Sequence, residues 1–298
     1  MDRWEGNRYV RVLFAGKELC KITVEQKKEE ELEIELISRN AVAAGREIAA
    51  GQLRKILGLE VNLEDFYVLA LPDTHLGPLV QRFLGVKPTR FVTLFEALLN
   101  AVACQQLTLD VGLTLLNRLT DEFGSKLTDD NTTFYAFPSP GDLAGAPFES
   151  VRNLGFSNQK TRAILELSAA IVEGKIDLSA LETMTNDAVA KYLSALRGIG
   201  RWSAEYVLLR GLGRLDVFPG DDVGAQRNLR NLFGLNHKPS YGEIKDITAP
   251  WQPYAGLVYF HLLLDKLRAG GHFDPSSSAA IDHSAEHIAG QEVRHEGI

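Results

Sequence analysis

Cysteine is scarce in this chain of 298 residues, which holds only Cys20 and Cys104. A four-iron cluster needs four thiolates, and a Cys-rich zinc site needs more than two, so both are excluded on count. A disulfide framework is not expected of an intracellular chain, and two buried thiols are the simpler reading. Long apolar runs are missing too. None approaches the roughly 18 residues of a membrane span, and the N-terminus lacks the basic-then-apolar pattern of a signal peptide. No membrane association is therefore expected, and the chain reads as cytoplasmic. An excess of basic residues is also lacking, since the net charge is −7. The deficit is uneven. Residues 271–298 carry five acids and one Arg, whereas residues 151–233 carry eleven Lys/Arg against nine Asp/Glu. A local patch matters more than the total for a polyanionic partner, so that middle stretch stays open to one.

What is present is ordinary for a folded protein, 45% apolar and 24% charged residues. The length suggests more than one lobe. Residues 8–38 read as strands. Leu32, Ile34 and Leu36 alternate with Glu31, Glu33 and Glu35, and Cys20, Ile22 and Val24 keep the same period of two. Gly16-Lys17 reads as a turn, and Lys27–Glu31 as a solvated edge or loop. From about residue 41 the period turns helical, with helices expected over 92–123 (a pair), 161–171, 186–196, 202–212, 222–232 and 251–267. The expected architecture is α+β. A small antiparallel sheet unit with helices covers 1–88, a mostly helical region covers 89–270, and a flexible, Ser- and His-rich tail covers 271–298. His283 and His287 stand at helical spacing with Glu286 in that tail. No further ligand is placed beside them, so a chance pattern is the better reading.

The most informative stretch runs from Leu193 to Leu229. Leu196-Arg197-Gly198-Ile199-Gly200 is a Gly-X-Gly hairpin between two helical segments, within residues 193–212. Glycines allow backbone angles and close approaches that a Cβ forbids. The helix opening after Gly200 presents free N–H groups and its positive dipole end, which together can hold a phosphate without reading sequence. Arg201 would add charge. A tight interhelical turn explains the same residues equally well. About twenty residues on, Asp221-Asp222 follows Val217-Phe218-Pro219-Gly220. Asp222 can cap the next helix, or its carboxylate can face a cleft beside the hairpin. Local chemistry leaves both readings open, and nucleoid association follows if the partner is DNA.

Five segments carry a resemblance. They are Phe95–Thr108 (FEALLNAVACQQLT), Leu154–Ala170 (LGFSNQKTRAILELSAA), Leu196–Gly211 (LRGIGRWSAEYVLLRG), Asp216–Asp222 (DVFPGDD) and the run WQPYAGLVYFHL from Trp251 to Leu262. In this order they resemble the helix-hairpin-helix DNA glycosylase superfamily, and within it the bacterial 3-methyladenine DNA glycosylase II family, over roughly residues 3–268. The resemblance implies a helix-hairpin-helix glycosylase fold and a monomer acting on double-stranded DNA with damaged bases. Such enzymes flip a nucleotide out of the duplex and cut its N-glycosidic bond. It implies Asp222 as the catalytic carboxylate. Trp202, Tyr206 and Tyr254 are implied as aromatic walls for an electron-poor alkylated base, and Gln106 as the side chain filling the gap left by that base. Gly198, Gly200 and Arg201 would grip the DNA backbone. The carbonyls of Ser194, Leu196 and Ile199 would hold a structural Na⁺ or K⁺, with no other cofactor.

Bifunctional relatives carry a Lys two residues after the second hairpin glycine, as a Schiff-base nucleophile. This chain has Trp202 there, so the resemblance implies water as nucleophile and no lyase activity. Cluster-bearing relatives need four cysteines near the C-terminus, which are missing. Two other readings remain, an oxidised-purine glycosylase and a damage-binding protein without turnover. The family's further N-terminal strand before Asp2-Arg3-Trp4 is not seen, which implies an exposed sheet edge.

Overall fold

A computed structural model of the chain describes residues 2–28, 31–38 and 43–271. The expected tail beyond Gly271, with His283, Glu286 and His287, lies outside them. Four strands, β1 (Arg3–Glu5), β2 (Arg8–Ala15), β3 (Glu18–Lys28) and β4 (Glu31–Ser38), form an antiparallel meander in the order β1-β2-β3-β4. The register sets Val10 opposite Thr23 and Ile22 opposite Leu36. Period two decides which way β2 faces. Tyr9, Leu13 and Ala15 pack with Cys20, Ile22 and Val24 against α1 (Ala43–Ile56) through Ala49, Leu53 and Ile56. Val10 and Val12 point the other way, onto Leu127 and Phe134.

Helices follow: α2 (Glu64–Ala70), α3 (Gly77–Gln81), α4 (Leu94–Cys104) and α5 (Leu109–Phe123). Next comes a small hairpin, β5 (Lys126–Asp129) and β6 (Thr132–Tyr135), which covers the second sheet face. The remaining helices are α6 (Pro140–Ala144), α7 (Phe148–Arg152), α8 (Asn158–Val172), α9 (Asn186–Ser194), α10 (Arg201–Val207), α11 (Val223–Leu232), α12 (Tyr241–Thr248) and α13 (Ala255–Ala269). A π-turn over Leu208–Leu212 extends α10. Caps set several starts. Thr93, Thr108, Ser157, Thr185 and Ser240 each accept the N–H three residues on, worth about 1 kcal/mol apiece.

The helices bury their apolar faces in two separate cores. One holds Leu98, Leu116, Leu119, Ile164 and Leu193, from α4, α5, α8 and α9, with Phe156 from the loop before α8. Helix α4 is buried at every position from Leu94 to Ala103, as a helix apolar all round must be. The other core holds Phe66, Leu79 and Phe83 with Leu229, Leu257 and Val258. This corrects the expected unit 1–88. Its sheet and α1 stand together, but α2 and α3 pack on α11–α13, because Phe66, Leu76, Leu79 and Phe83 complete that apolar core. Residues 63–83 and the C-terminal helices thereby close one lobe, and a cleft runs between it and the lobe built on α4. A buried ion pair joins the sheet to α4. Arg11 Nη2 donates to both oxygens of Glu96 at 2.6 and 2.7 Å.

Among the described residues, no helix is long and apolar enough to cross a membrane. No group of three or more His, Cys, Asp and Glu among them could hold a metal ion.

Candidate active site

The cleft has a volume of about 940 Å³, and both lobes line it. Asn100 and Cys104 of α4 and Trp202 and Tyr206 of α10 form one wall; Asp222, Tyr259 and Lys266 stand on the other. The indole of Trp202 stacks on the Tyr206 ring at 5.4 Å with 29° between planes. Tyr206 donates its hydroxyl to Asn100 Oδ1 at 3.0 Å. Burial pushes the Tyr206 phenol up to about 12, so it stays a neutral donor at ordinary pH. Cys104 is likewise held as a thiol, burial pushing it up to about 11.

Asp222 sits where α11 begins, and its two oxygens divide the work. Oδ1 accepts the Ala225 N–H at 2.8 Å and caps the helix. Oδ2 accepts the Trp202 Nε1–H and the Tyr259 hydroxyl, each at 3.0 Å. Three donors and the helix N-terminus therefore fix an anion at the cleft wall. Burial, with the nearby Asp222 charge, raises the Tyr259 phenol well above its usual range, so it too remains a donor.

Asp221 turns away. It receives Arg201 Nε at 2.6 Å and Nη2 at 2.9 Å in a bidentate pair. The Arg201 guanidinium also lies 3.9 Å over the Tyr241 ring. Arg201, expected to face a phosphate, is thus matched in charge by Asp221 and braced on an aromatic face.

The hairpin lies beside the cleft. Gly198 has φ +78°, and a Cβ there would meet the Ala163 Cβ at 2.7 Å. Gly200 differs. It is exposed with φ −93° and ψ 179°, ordinary extended backbone, and nothing lies within 4 Å of its would-be Cβ. Nothing inside the molecule demands a glycine there. The first N–H groups of α10, at Arg201, Trp202 and Ser203, donate to no backbone carbonyl among the described residues. Ile199 is buried and plugs the hairpin into the α4 core. The carbonyls of Ser194 and Ile199 accept no hydrogen bond from the described residues, while that of Leu196 accepts Ile199 N–H at 3.2 Å.

Gln106 stands at the cleft edge between α4 and α5, exposed and with φ +56°. Its neighbours hold it out. Lys160 Nζ donates to the Ala103 and Gln105 carbonyls at 2.8 and 2.7 Å. Gln105 Nε2 donates to the Gly198 carbonyl at 2.7 Å and to Ser203 Oγ at 2.8 Å, tying this loop to the hairpin.

One expected wall residue lies elsewhere. Tyr254 lies outside the cleft lining, packs on Phe66 at 6.0 Å in the second core, and donates to Asp65 at 3.5 Å. It precedes α13, whose later turn carries Tyr259 to the carboxylate instead. Sequence reasoning also missed Asn100, Gln105, Glu205 and Tyr241. For Asn100 and Glu205 the reason is that α4 and α10 are buried nearly all round, so no wet face marked a polar residue as aimed at a site.

Known proteins resemble this chain in sequence and in fold. The Bacillus subtilis protein YfjP is 29% identical over 189 residues, 63% of this chain and 64% of that one. The chain thus spans just under two thirds of that relative. A second B. subtilis protein, named DNA-3-methyladenine glycosylase, is 27% identical over 87% of this chain and 86% of its own length. The solved 3-methyladenine DNA glycosylase of Archaeoglobus fulgidus superposes with a TM-score of 0.79 at 26% identity, covering 88% of each chain. An 8-oxoguanine glycosylase/lyase of Clostridium acetobutylicum is 18% identical with a TM-score of 0.71 over 88% of this chain and 87% of its own, a likeness of fold alone. The family model described as HhH-GPD superfamily base excision DNA repair protein matches residues 99–253. That stretch is more than half of the chain and holds the hairpin, the Pro219-Gly220 turn and Asp222, so the chain belongs to the HhH-GPD superfamily.

Proposed function

We propose that this protein is a monofunctional DNA glycosylase that hydrolyses the N-glycosidic bond of alkylated purines in duplex DNA. The observation carrying the reading is the Asp222 carboxylate, held by Trp202, Tyr259 and Ala225 on the wall of an aromatic cleft. A purine swung out of the duplex stacks on the Trp202–Tyr206 pair, and an electron-poor ring gains most from these electron-rich faces. As the bond to the base breaks, positive charge develops on the sugar. A preoriented carboxylate stabilises that charge and orients the attacking water, an effect of roughly 10²–10³ in rate at comparable sites. Gly198 and Gly200 bring the α10 amides to a backbone phosphate, and Gln106 fills the space the base leaves. The unengaged Ser194 and Ile199 carbonyls, with that of Leu196, suit a Na⁺ or K⁺ ion that stiffens the hairpin. The protein acts on DNA as a monomer in the cytoplasm.

Lysines do line the cleft, Lys87 and Lys266, but neither pairs with Asp222 among the described residues. Trp202 stands at the position where bifunctional relatives carry their nucleophilic Lys, so this reading takes water as the nucleophile, which separates it from a lyase acting on oxidised purines. The test is release of free base from duplexes holding 3-methyladenine, 7-methylguanine, hypoxanthine or 8-oxoguanine, with and without alkali, and with borohydride. Alkylated base should appear, strand breaks only with alkali, and no trapped adduct. Asp222→Asn keeps a helix-capping side chain and should lose activity by roughly 10²–10³-fold. Full activity in that variant sinks the assignment, and tight abasic-site binding without base release would favour a non-catalytic binder.

A further inference from the structure

Glu205 is a carboxylic acid with no place in the chemistry just described. It sits one turn after Trp202 on α10 and is 6% exposed. Burial raises its pKa, and it forms no ion pair among the described residues. A buried carboxyl without a cation partner weakens a fold, so its hydrogen bonds point to what it does. Oε2 accepts the backbone N–H of Gly220 at 3.1 Å, and Oε1 accepts the Tyr241 hydroxyl. Gly220 belongs to the turn that ends on Asp222, closed by Asp222 N–H to the Pro219 carbonyl at 3.0 Å.

The next peptide of that turn is held on its own side. Gln226, itself 6% exposed, donates Nε2 to the Gly220 carbonyl at 2.8 Å. A Cβ on Gly220 would strike the Tyr241 ring at 2.7 Å, so the ring packs flush on the turn. Tyr241 in turn carries Arg201, whose partner is Asp221. Helix α10 thus grips the acidic turn twice, through Trp202 on the Asp222 side chain and through Glu205 on the backbone two residues earlier.

We propose that Glu205 is a positioning residue that sets the Asp222 carboxylate by fixing the Gly220 peptide. This rests on the glycosylase reading above. Misplacing a reacting group by an ångström can cost about 10²-fold in rate, so the effect belongs on the chemical step and not on the grip of undistorted DNA.

The experiment is single-turnover base release from a duplex with one alkylated purine, beside affinity for the same duplex carrying a tetrahydrofuran abasic analogue. Wild type, Glu205→Asp, Glu205→Gln and Glu205→Ala are compared, with thermal unfolding of each. Glu205→Asp withdraws the acceptor from Gly220 by one methylene and should slow release about 10–100-fold. Glu205→Gln keeps an amide oxygen for Gly220 N–H and an NH₂ for the Tyr241 oxygen, and should restore most of the rate. Abasic-duplex affinity should stay near wild type in both. Should Glu205→Ala fail to fold, the Asp and Gln pair still decides. Equal rates for Asp and Gln, or a rate that falls only in step with affinity and melting temperature, overturn the proposal. If wild type releases no base from any duplex, the glycosylase reading fails and takes this one with it; release by wild type and Glu205→Asp alike overturns the positioning role alone.

Discussion

The hairpin glycines make a paired test, because the structure gives them opposite burdens. Alanine at position 198 meets two penalties. It must hold φ +78°, a left-handed conformation costing a residue with a Cβ about 1–2 kcal/mol. Its methyl would also lie 2.7 Å from the Ala163 Cβ on α8, an overpacking that typically costs about 1–3 kcal/mol. Gly198→Ala should therefore lose about 2–5 kcal/mol of stability, or roughly 4–20 °C in Tm for a protein of this size. Alanine at position 200 meets neither, since φ −93° is ordinary and no atom lies within 4 Å. Gly200→Ala should leave stability unchanged or raise it by about 0.4–1 kcal/mol, by restricting the unfolded chain. Its methyl instead fills the space where a phosphate approaches the α10 amides. Loss of one charge-assisted hydrogen bond, about 1.5–3 kcal/mol, weakens DNA binding about 10–100-fold. No cation is removed, so log K should fall with log salt at an unaltered slope. Urea unfolding and fluorescence anisotropy on a duplex across a salt series measure both. A Gly200→Ala protein that binds DNA like wild type would falsify the phosphate grip, and the glycine would revert to a turn residue.

Two further perturbations address the scaffold and its pH range. Arg11 and Glu96 are 4% and 2% exposed. Burial alone would depress the Arg11 pKa, but the carboxylates of Glu96 and Asp2 more than offset this and hold it charged. Arg11→Met strands the Glu96 carboxylate and should cost about 3–5 kcal/mol, read from urea midpoints, and a loss below 1 kcal/mol would mean the pair does not tie the sheet to α4. His261 is fully buried, with Nδ1 on the Leu257 carbonyl and Nε2 without a hydrogen-bond partner among the described residues. Burial lowers its pKa, so the native state keeps it neutral while the unfolded chain takes up a proton below about pH 6.5. Its contribution to stability is present above that value and is lost as pH falls toward the native pKa. His261→Phe should flatten the loss of stability on that acid side, and an unchanged pH slope in the variant refutes the assignment.

Much of this arrangement can be read from the chain, and the parts that cannot share a cause. The alternation of Cys20, Ile22 and Val24 gives β3 its buried face. The same alternation in β4 is a weaker guide, since this edge strand leaves Ile34 44% exposed. The β5–β6 hairpin has a turn signal, Asp130-Asn131, both with positive φ. Its strands are four residues each, too short for a period to stand out. The joining of α2 and α3 to α11–α13 has no local signature at all. Phe66 and Phe83 would suit any core, and only three-dimensional closure decides which. Tyr254 and Tyr259 present the same difficulty in the site. Both lie in one apolar run, and residues 255–262 are buried in succession, so no wet stripe marks which phenol meets the carboxylate.

Asp222 shows where local reasoning reaches its limit. As a residue opening a helix it invites two explanations, a cap or a functional acid, and sequence sets them against each other. A carboxylate has two oxygens, and here each takes one task, Oδ1 on the Ala225 N–H and Oδ2 between Trp202 and Tyr259. The cap costs the site nothing, because the bond that starts the helix is also one that aims the acid. The neighbours that turn the second oxygen into a candidate catalytic group stand 20 positions before it and 37 after it. Asp221 has the same chemistry one residue away, yet its oxygens are spent on Arg201 at 2.6 and 2.9 Å. Residue type cannot separate two adjacent acids. What separates them is the set of donors that the fold brings to each.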